Sequence, residues 1–290
     1  MGWIDKEENV DLSRLCTIKI GGKAKSVYLP ETVDDIKNLI SESREREKPF
    51  VPLGTGSNIV FSDGVLDYIF VSTKKLKKYR LEEKDGYIYI HAQAGVSFKT
   101  IVSLVKKYNL EGFEYLSGIP ASIGGAVVMN AGAFGSQISD IIRQVEWIDG
   151  EGRLHQLKRE EIDFGYRKSP FQGGGFVYSA VIRLKKSRKD IPQIIKSHLE
   201  ERNKKQPLDK PTSGSTFKNP PEKPAGYLLE KAGLKGYRIG NVAFSEKHAN
   251  FMVNLGGGRF KELKELIELA ERRVGELYQI KLEKEIKVVE

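Results

Sequence analysis

Cysteine is almost missing from this chain: one residue, Cys16, in 290. A lone thiol excludes an internal disulfide and fits a reducing compartment. Histidine is scarce too, with four residues scattered along the sequence, which leaves no spacing for a structural metal cluster. No apolar run approaches the roughly 18–20 residues that a membrane-spanning helix needs. The opening stretch, MGWIDKEENVDLSRL, is charged throughout and holds no apolar segment of the secretion-signal type. These absences lead us to expect a cytoplasmic protein with no metal site and no membrane insertion.

What is present is a globular mixture of 39% apolar, 30% charged and 9% aromatic residues. That suffices to bury a substantial core in one large or two to three smaller domains. The net charge of +9 raises the question of nucleic acid. Its densest stretch, residues 183–210, mixes in acidic residues and carries no aromatic interleaving or reader motif. It reads first as a solvated helix and linker, and second as a funnel for an anionic small molecule.

Periodicity outlines the elements. Thr32 and Asp35 have the spacing of a capping box, followed by Ile36, Leu39 and Ile40 at helical intervals. Residues 86–95 alternate with period two, Tyr87, Tyr89 and His91 against Ile88, Ile90 and Ala92. Ser97 and Thr100 open a helix expected to bury Phe98, Ile101, Val102, Val105 and Tyr108. VEWID and FVYSAVIRL read as strands, and a basic connector helix follows up to about residue 205. Beyond it, residues 224–232 and 260–278 read as helices, and FMVNL (251–255) and IKLEKEIKVV (280–289) as strands. PTSGSTFKNP (211–220) reads as a turn or tight loop.

Two loops stand out. LGTGSN (53–58) sits between strand patterns, where Gly54 and Gly56 let backbone N–H groups converge on an anion and Ser57 and Asn58 add donors. It is neither a Walker loop nor a Rossmann fingerprint, and a plain hairpin loop explains it equally well. SGIPASIGGA (117–126) again presents small residues, with Gly118, Gly124 and Gly125 permitting close approach of a ligand. Two such loops suit a large phosphorylated cofactor.

GTGSN, GIPASIGGAVVMNAGAFG, FGYRKSPF (164–171), PTSGSTFKNP and LEKEI (282–286) occur in the order found in the UDP-N-acetylenolpyruvoylglucosamine reductase family, which this chain resembles from TIKIGGKA (17–24) to its end. The short route from YRKS to PTSGSTFKNP resembles the type II form. One departure is Ala121, where the family more often has Gly. The resemblance implies an α/β fold: a two-lobed FAD-binding domain of the vanillyl-alcohol-oxidase/PCMH type plus a smaller C-terminal α/β substrate domain. The boundaries it suggests are 1–75 and 76–195 for the FAD lobes and 196–290 for the substrate domain. It further implies non-covalent FAD, NADPH as reductant, a UDP-sugar substrate from peptidoglycan synthesis, and a monomer that binds no nucleic acid.

The resemblance also assigns residues. Arg167, Ser215 and Glu285 match the catalytic arginine, proton donor and glutamate. Gly54, Thr55, Gly56, Ser57, Asn58, Gly118, Ile119, Pro120, Ser122, Gly124 and Gly125 match the cofactor loops. Lys205 and Asn219 match sugar-nucleotide contacts. Two further candidates keep two readings each: Tyr166 lies beside the substrate or simply packs, and His248, with Asn250, lines the substrate pocket or is a satisfied structural histidine. Spacing alone cannot choose Glu285 over Glu283, which shares its face if the tail is a strand. Ser213 is likewise a second hydroxyl two residues from Ser215. Two other functions stay open: an oxidase of the same superfamily, and a non-catalytic nucleotide- or nucleic-acid-binding module.

Overall fold

Helix α1 (Val33–Glu45) begins where the capping pair puts it. Thr32 Oγ1 accepts the Asp35 N–H at 3.1 Å, and Asp35 Oδ2 accepts the Thr32 N–H at 3.0 Å. The computed structural model describes residues 4–290 and divides the chain into two units. The first holds the residues up to Glu8, Ser26–Thr55 and Asp67–Glu201. The second holds Asn9–Lys25, Gly56–Leu66 and Arg202–Glu290.

In the first unit, Phe50–Leu53 pairs in parallel with Ile69–Ser72, and Val27 and Tyr28 pair with Phe70 and Val71 on the other side. α1 lays Ile36, Leu39 and Ile40 into a core with Ile69, Val71, Leu76, Ala94, Ile148 and Phe176. Next comes an antiparallel sheet in the order Leu154–Lys158, Ile142–Ile148, Phe176–Lys186, Tyr87–Gln93, Tyr79–Lys84. The expected alternation of 86–95 is present: Ile88, Ile90 and Ala92 are buried, while Tyr87, Tyr89 and His91 are half-buried. α2 (Phe98–Tyr108) and α3 (Ile123–Met129) contribute to the core on the apolar side.

Two details depart from the sequence expectation. α2 buries Phe98, Ile101, Leu104 and Val105 but leaves Tyr108 41% exposed, because Asn109 turns left-handed (φ 50°) and ends the helix there. α3 was hidden in what reads as a glycine-rich loop. Ser122 caps it, and Gly124 is small because a Cβ there would lie 2.8 Å from the Ala94 Cβ. α4 (Ile191–Lys205) is the basic connector helix.

In the second unit, four antiparallel strands run in the order Thr212–Ser215, Phe251–Asn254, Val242–Phe244, Arg238–Ile239. α5 (Ala225–Lys231) and α6 (Phe260–Tyr278) accompany them, and α6 buries Phe260, Leu263, Leu266, Ile267, Ala270 and Val274 as its spacing requires. Residues 12–22 join this unit through buried polar bonds. The Thr17 hydroxyl donates to the Thr212 carbonyl at 2.6 Å, and Asn254 Nδ2 donates to the carbonyls of Ile18 and Lys19. Cys16 is buried here, its thiol donating to the Ile20 carbonyl. The tail is strand only at Lys287–Val289, parallel to Ile59–Phe61. Residues 280–286, expected as strand, instead form an irregular path with a single bridge, Phe217 to Lys284.

Two glycines give opposite stability predictions. A Cβ at Gly95 would sit 2.0 Å from the Thr73 carbonyl oxygen, so Gly95→Ala should cost at least about 1–3 kcal/mol. Gly275 lies inside α6 with open space around it, so Gly275→Ala should stabilise by about 0.5–1 kcal/mol. Thermal or urea unfolding of the two variants checks both signs.

Candidate active site

The glycine loops of the first unit touch. The Thr55 hydroxyl donates to the Pro120 carbonyl at 2.7 Å, and a Cβ at Gly54 would lie 2.5 Å from Ser122 Oγ. Gly54, Thr55, Pro120 and Gly125 are exposed, whereas Leu53, Ala121, Ser122 and Gly124 beneath them are buried; Gly118 and Ile119 are half-buried. The remaining loop residues, Gly56, Ser57 and Asn58, belong to the second unit.

Arg167 stands in a strained turn. Gly165 and Lys168 exchange backbone hydrogen bonds at 3.0 and 3.1 Å, and Arg167 between them has φ 52°, a left-handed conformation that costs a long side chain about 1–3 kcal/mol. Its guanidinium donates to the Gly132 carbonyl at 2.7 Å and lies over the Tyr166 ring, itself 52% exposed. Two buried groups hold this turn on the end of α3. Asn130 Nδ2 donates to the Gly165 carbonyl at 2.8 Å, and the Ser169 hydroxyl donates to the Val128 carbonyl at 2.7 Å. Asn130 was not foreseen; its only signal was an Asn before Ala-Gly at the end of the small-residue stretch.

The second unit corrects the reading of PTSGSTFKNP. Thr212–Ser215 is a strand, and Thr216 and Phe217 after it are fully buried. From Thr212 opposite Val253 to Ser215 opposite Phe251, the strand takes three residue steps against two on its partner. The extra residue makes a β-bulge at Gly214, whose φ of 82° only glycine adopts without strain. The bulge separates the two serines that regular alternation would put on one face: Ser213 is buried and Ser215 half-buried. Glu285 comes alongside through its main chain, its N–H donating to the Thr216 carbonyl at 2.8 Å. The surroundings of Glu283 and Glu285 differ. Glu283 is exposed and ion-paired with Lys218 at 3.2 Å, while Glu285 is half-buried. Asn58 directs its side-chain N–H to the Glu285 carbonyl at 3.0 Å.

The softer candidates also have definite places. Lys205 ends α4, exposed. Asn219 Oδ1 accepts the Ala225 N–H at 3.0 Å and so caps α5. His248 is half-buried with its ring tilted against Phe251, and its Nδ1 accepts the Asn250 N–H at 3.2 Å. That bond needs a neutral ring, and burial pushes the imidazole pKa below its usual 6.5. Among the described residues no group of His, Cys, Asp and Glu could hold a metal ion, and no helix is long and apolar enough to cross a membrane.

Comparison with known proteins decides the family. Residues 24–158 match the FAD binding domain model, and residues 206–289 match the C-terminal domain model of UDP-N-acetylenolpyruvoylglucosamine reductase. The reductase of Aquifex aeolicus is 46% identical over 283 residues, covering 98% of this chain and 95% of that one. That of Caldanaerobacter subterraneus is 38% identical, covering 97% and 92%. The chain belongs to the UDP-N-acetylenolpyruvoylglucosamine reductase family. It is a flavin-dependent oxidoreductase with the α/β fold of that family. The crystal structure of the Thermus caldophilus reductase agrees, with a TM-score of 0.82 at 33% identity over 99% of both chains.

The first-unit loops of this family member fit FAD. A dinucleotide needs main chain that its diphosphate can approach closely, and the glycines Gly54 and Gly125 are exposed beside Thr55 and Pro120 over buried Leu53, Ala121, Ser122 and Gly124.

Two measurements follow from the second unit. Among the described residues the Thr216 hydroxyl is buried without a hydrogen-bond partner, and an unsatisfied buried hydroxyl costs about 1–3 kcal/mol. Thr216→Val, nearly isosteric, should therefore raise the unfolding midpoint; a fall would reveal a partner for the hydroxyl. His248 gives a pH dependence. Its folded pKa lies below the unfolded value of 6.5, so below that pH the unfolded chain binds the extra proton. The stabilisation is complete above about pH 6.5 and is lost as pH falls further toward the folded pKa. Melting curves between pH 7 and 5 should show this loss, and His248→Gln should flatten it.

Proposed function

We propose that this chain reduces the enolpyruvyl ether of UDP-N-acetylenolpyruvoylglucosamine to the lactyl ether, giving UDP-N-acetylmuramate for peptidoglycan synthesis. One observation carries the reading above others: nearly full-length similarity to reductases of that name, through both the FAD-binding and the C-terminal segments. We infer FAD lobes at residues 1–75 and 76–195 and a substrate domain at 196–290, in a cytoplasmic monomer. Gly54, Thr55, Gly56, Ser57, Asn58, Gly118, Ile119, Pro120, Ser122, Gly124 and Gly125 are assigned to the cofactor. Tyr166, Lys205, Asn219 and His248 are assigned to the sugar nucleotide.

Held by these loops and recharged by NADPH, FAD would supply hydride chemistry directed at C3 of the enolpyruvyl group. The electron pair of the former C2–C3 double bond is then left at C2 and spreads into the carboxylate as an enolate. Arg167 binds that carboxylate with a guanidinium that stays charged as electron density grows. Glu285, in its protonated form, donates a hydrogen bond to the enolate. Ser215 delivers the proton to C2, and solvent returns one to its oxygen. An alkyl hydroxyl is a poor acid, so this role depends on fixed geometry and nearby positive charge. Ser215 has the rigid support the role demands, since the strand that carries it is bulged at Gly214 and bonded on both sides just beyond.

The test is spectroscopic. The purified protein should show flavin absorbance, bleach anaerobically with NADPH and regain its colour on addition of UDP-N-acetylenolpyruvoylglucosamine. Ser215→Ala should bleach normally and recover its colour about 10²–10⁴ times more slowly. Colourless protein, or flavin that the substrate does not reoxidise, sinks the assigned reaction. Equal recovery in wild type and variant leaves the reaction standing and removes Ser215 from it.

A further inference from the structure

We propose that Asn250 and Asn58 are positioning residues for proton delivery: two side-chain amides that fix Ser215 and Glu285 relative to one another from opposite ends of one hydrogen-bonded chain. The proposal rests on the catalytic assignment of Ser215 and Glu285 made above.

The antiparallel ladder of the second unit runs out at Ser215 opposite Phe251. Beyond that pair the neighbouring chain turns back on itself, the Phe251 N–H bonding to the His248 carbonyl at 2.9 Å. On that edge, among the described residues, no strand remains beside Phe217, which is fully buried and cannot leave its peptide groups bare. The Asn250 side chain takes the place of the missing peptide. Its Oδ1 accepts the Phe217 N–H at 3.0 Å, and its Nδ2 donates to the Phe217 carbonyl at 2.8 Å. The Asn250 main-chain carbonyl accepts the Thr216 N–H at 2.7 Å. Three bonds thus fix the two residues that follow Ser215.

The other edge of the same segment holds Glu285. Besides the Thr216–Glu285 bond, the Lys218 N–H donates to the Glu283 carbonyl at 2.8 Å. Asn58 then closes the chain from the far side. Its Nδ2 donates to the Glu285 carbonyl, and its own carbonyl accepts the Lys287 N–H at 2.9 Å. Both peptide groups flanking the Glu285 Cα are therefore held, one by the segment that carries Ser215 and one by Asn58.

The residue type at 250 is specific. Aspartate would keep the acceptor for the Phe217 N–H but set a carboxylate oxygen against the Phe217 carbonyl. Leucine would leave both groups unsatisfied, and glutamine adds a methylene where Asn250 is only 2% exposed. Either kind of change shifts Ser215 against Glu285, and a misplacement of about 1 Å can cost on the order of 10²-fold in rate.

The experiment is anaerobic stopped-flow on the FAD-loaded, full-length protein: wild type, Asn250→Asp, Asn58→Ser and Ser215→Ala, each well below its melting midpoint. For Asn250→Asp we expect NADPH bleaching within twofold of wild type. For Asn58→Ser, at a residue also assigned to the cofactor, we expect a loss in reoxidation at least tenfold larger than any change in its bleaching. Flavin reoxidation at saturating substrate should slow at least tenfold, with the half-saturating substrate concentration within threefold. The solvent deuterium isotope effect on reoxidation should rise, which loss of fold stability alone does not produce. Reoxidation within twofold of wild type despite a lower melting midpoint overturns the proposal. So does a tenfold weaker half-saturation at an unchanged limiting rate, which would make the amides substrate-binding groups. If Asn250→Asp yields no flavin-loaded protein, the excess of the reoxidation defect over the bleaching defect in Asn58→Ser decides, and equal defects overturn the proposal. Should Ser215→Ala reoxidise at the wild-type rate, the catalytic assignment falls and the proposal with it. A Ser215→Ala stall with normal asparagine variants defeats the positioning role alone.

Discussion

One carbonyl organises the second unit, that of Thr216. It accepts the Glu285 N–H at 2.8 Å, and the Thr216 N–H on the same residue is bound to the Asn250 carbonyl. Through these two peptide groups, a strand that begins at Thr212 and a tail that ends in the pairing of Lys287–Val289 with Ile59–Phe61 become parts of one fabric. Residue 216 is fully buried, so water cannot replace either bond. The tail cannot detach without leaving main-chain groups unsatisfied, and the C-terminal residues are as much part of the unit as the sheet.

The first unit solves an equivalent problem in the same chemical terms. α3 ends at Asn130, whose left-handed backbone stops the helix and whose buried side chain bonds across to Gly165. That bond supports the turn in which Arg167 adopts a conformation disfavoured for its type. In the second unit Asn250 does the corresponding work beside Phe217, and Asn254 ties residues 18, 19, 256 and 258 together. Asparagine suits these places because its amide has the donor and acceptor of a peptide group on a short, uncharged stem. A buried lysine or glutamate would bring a charge needing its own partner.

Much of this was legible in the sequence wherever a local period carried it. α1, α2, α6 and the strand around Ile88, Ile90 and Ala92 follow from apolar spacing and caps, and the glycine loops follow from composition. α3 was not legible, because helix packing close enough to demand Gly124 removes the large apolar residues that reveal a period. The burial of Ser213, Thr216 and Phe217 was hidden for another reason: their polar neighbours are satisfied by partners some 30 to 70 positions away, at Asn250 and Glu285. Still longer separations, 195 to 236 positions, hid the join between residues 12–22 and the C-terminal sheet. Ordered motifs pointed to the family, but neither period nor spacing separated Glu283 from Glu285. Their differing burial and partners arise from an irregular path with no local signature.

The short side chain of Ser215 bears on the main-chain bonding that converges just beyond it. Serine has one side-chain torsion, so any error in its backbone passes to Oγ undiminished. Glutamate and arginine have several, and can absorb a small displacement by changing rotamer at modest cost in entropy. The proton-donor role proposed for Ser215 therefore requires the main chain at the serine to be held more tightly than at the longer charged side chains. The bulge at Gly214 aims the residue, and the bonds to Asn250 and Glu285 on either side of the following peptide keep it aimed. In the role proposed for Ser215, weak acidity in the side chain is offset by rigidity in the backbone, which a segment of small polar residues gains by being built into a sheet rather than left as a loop.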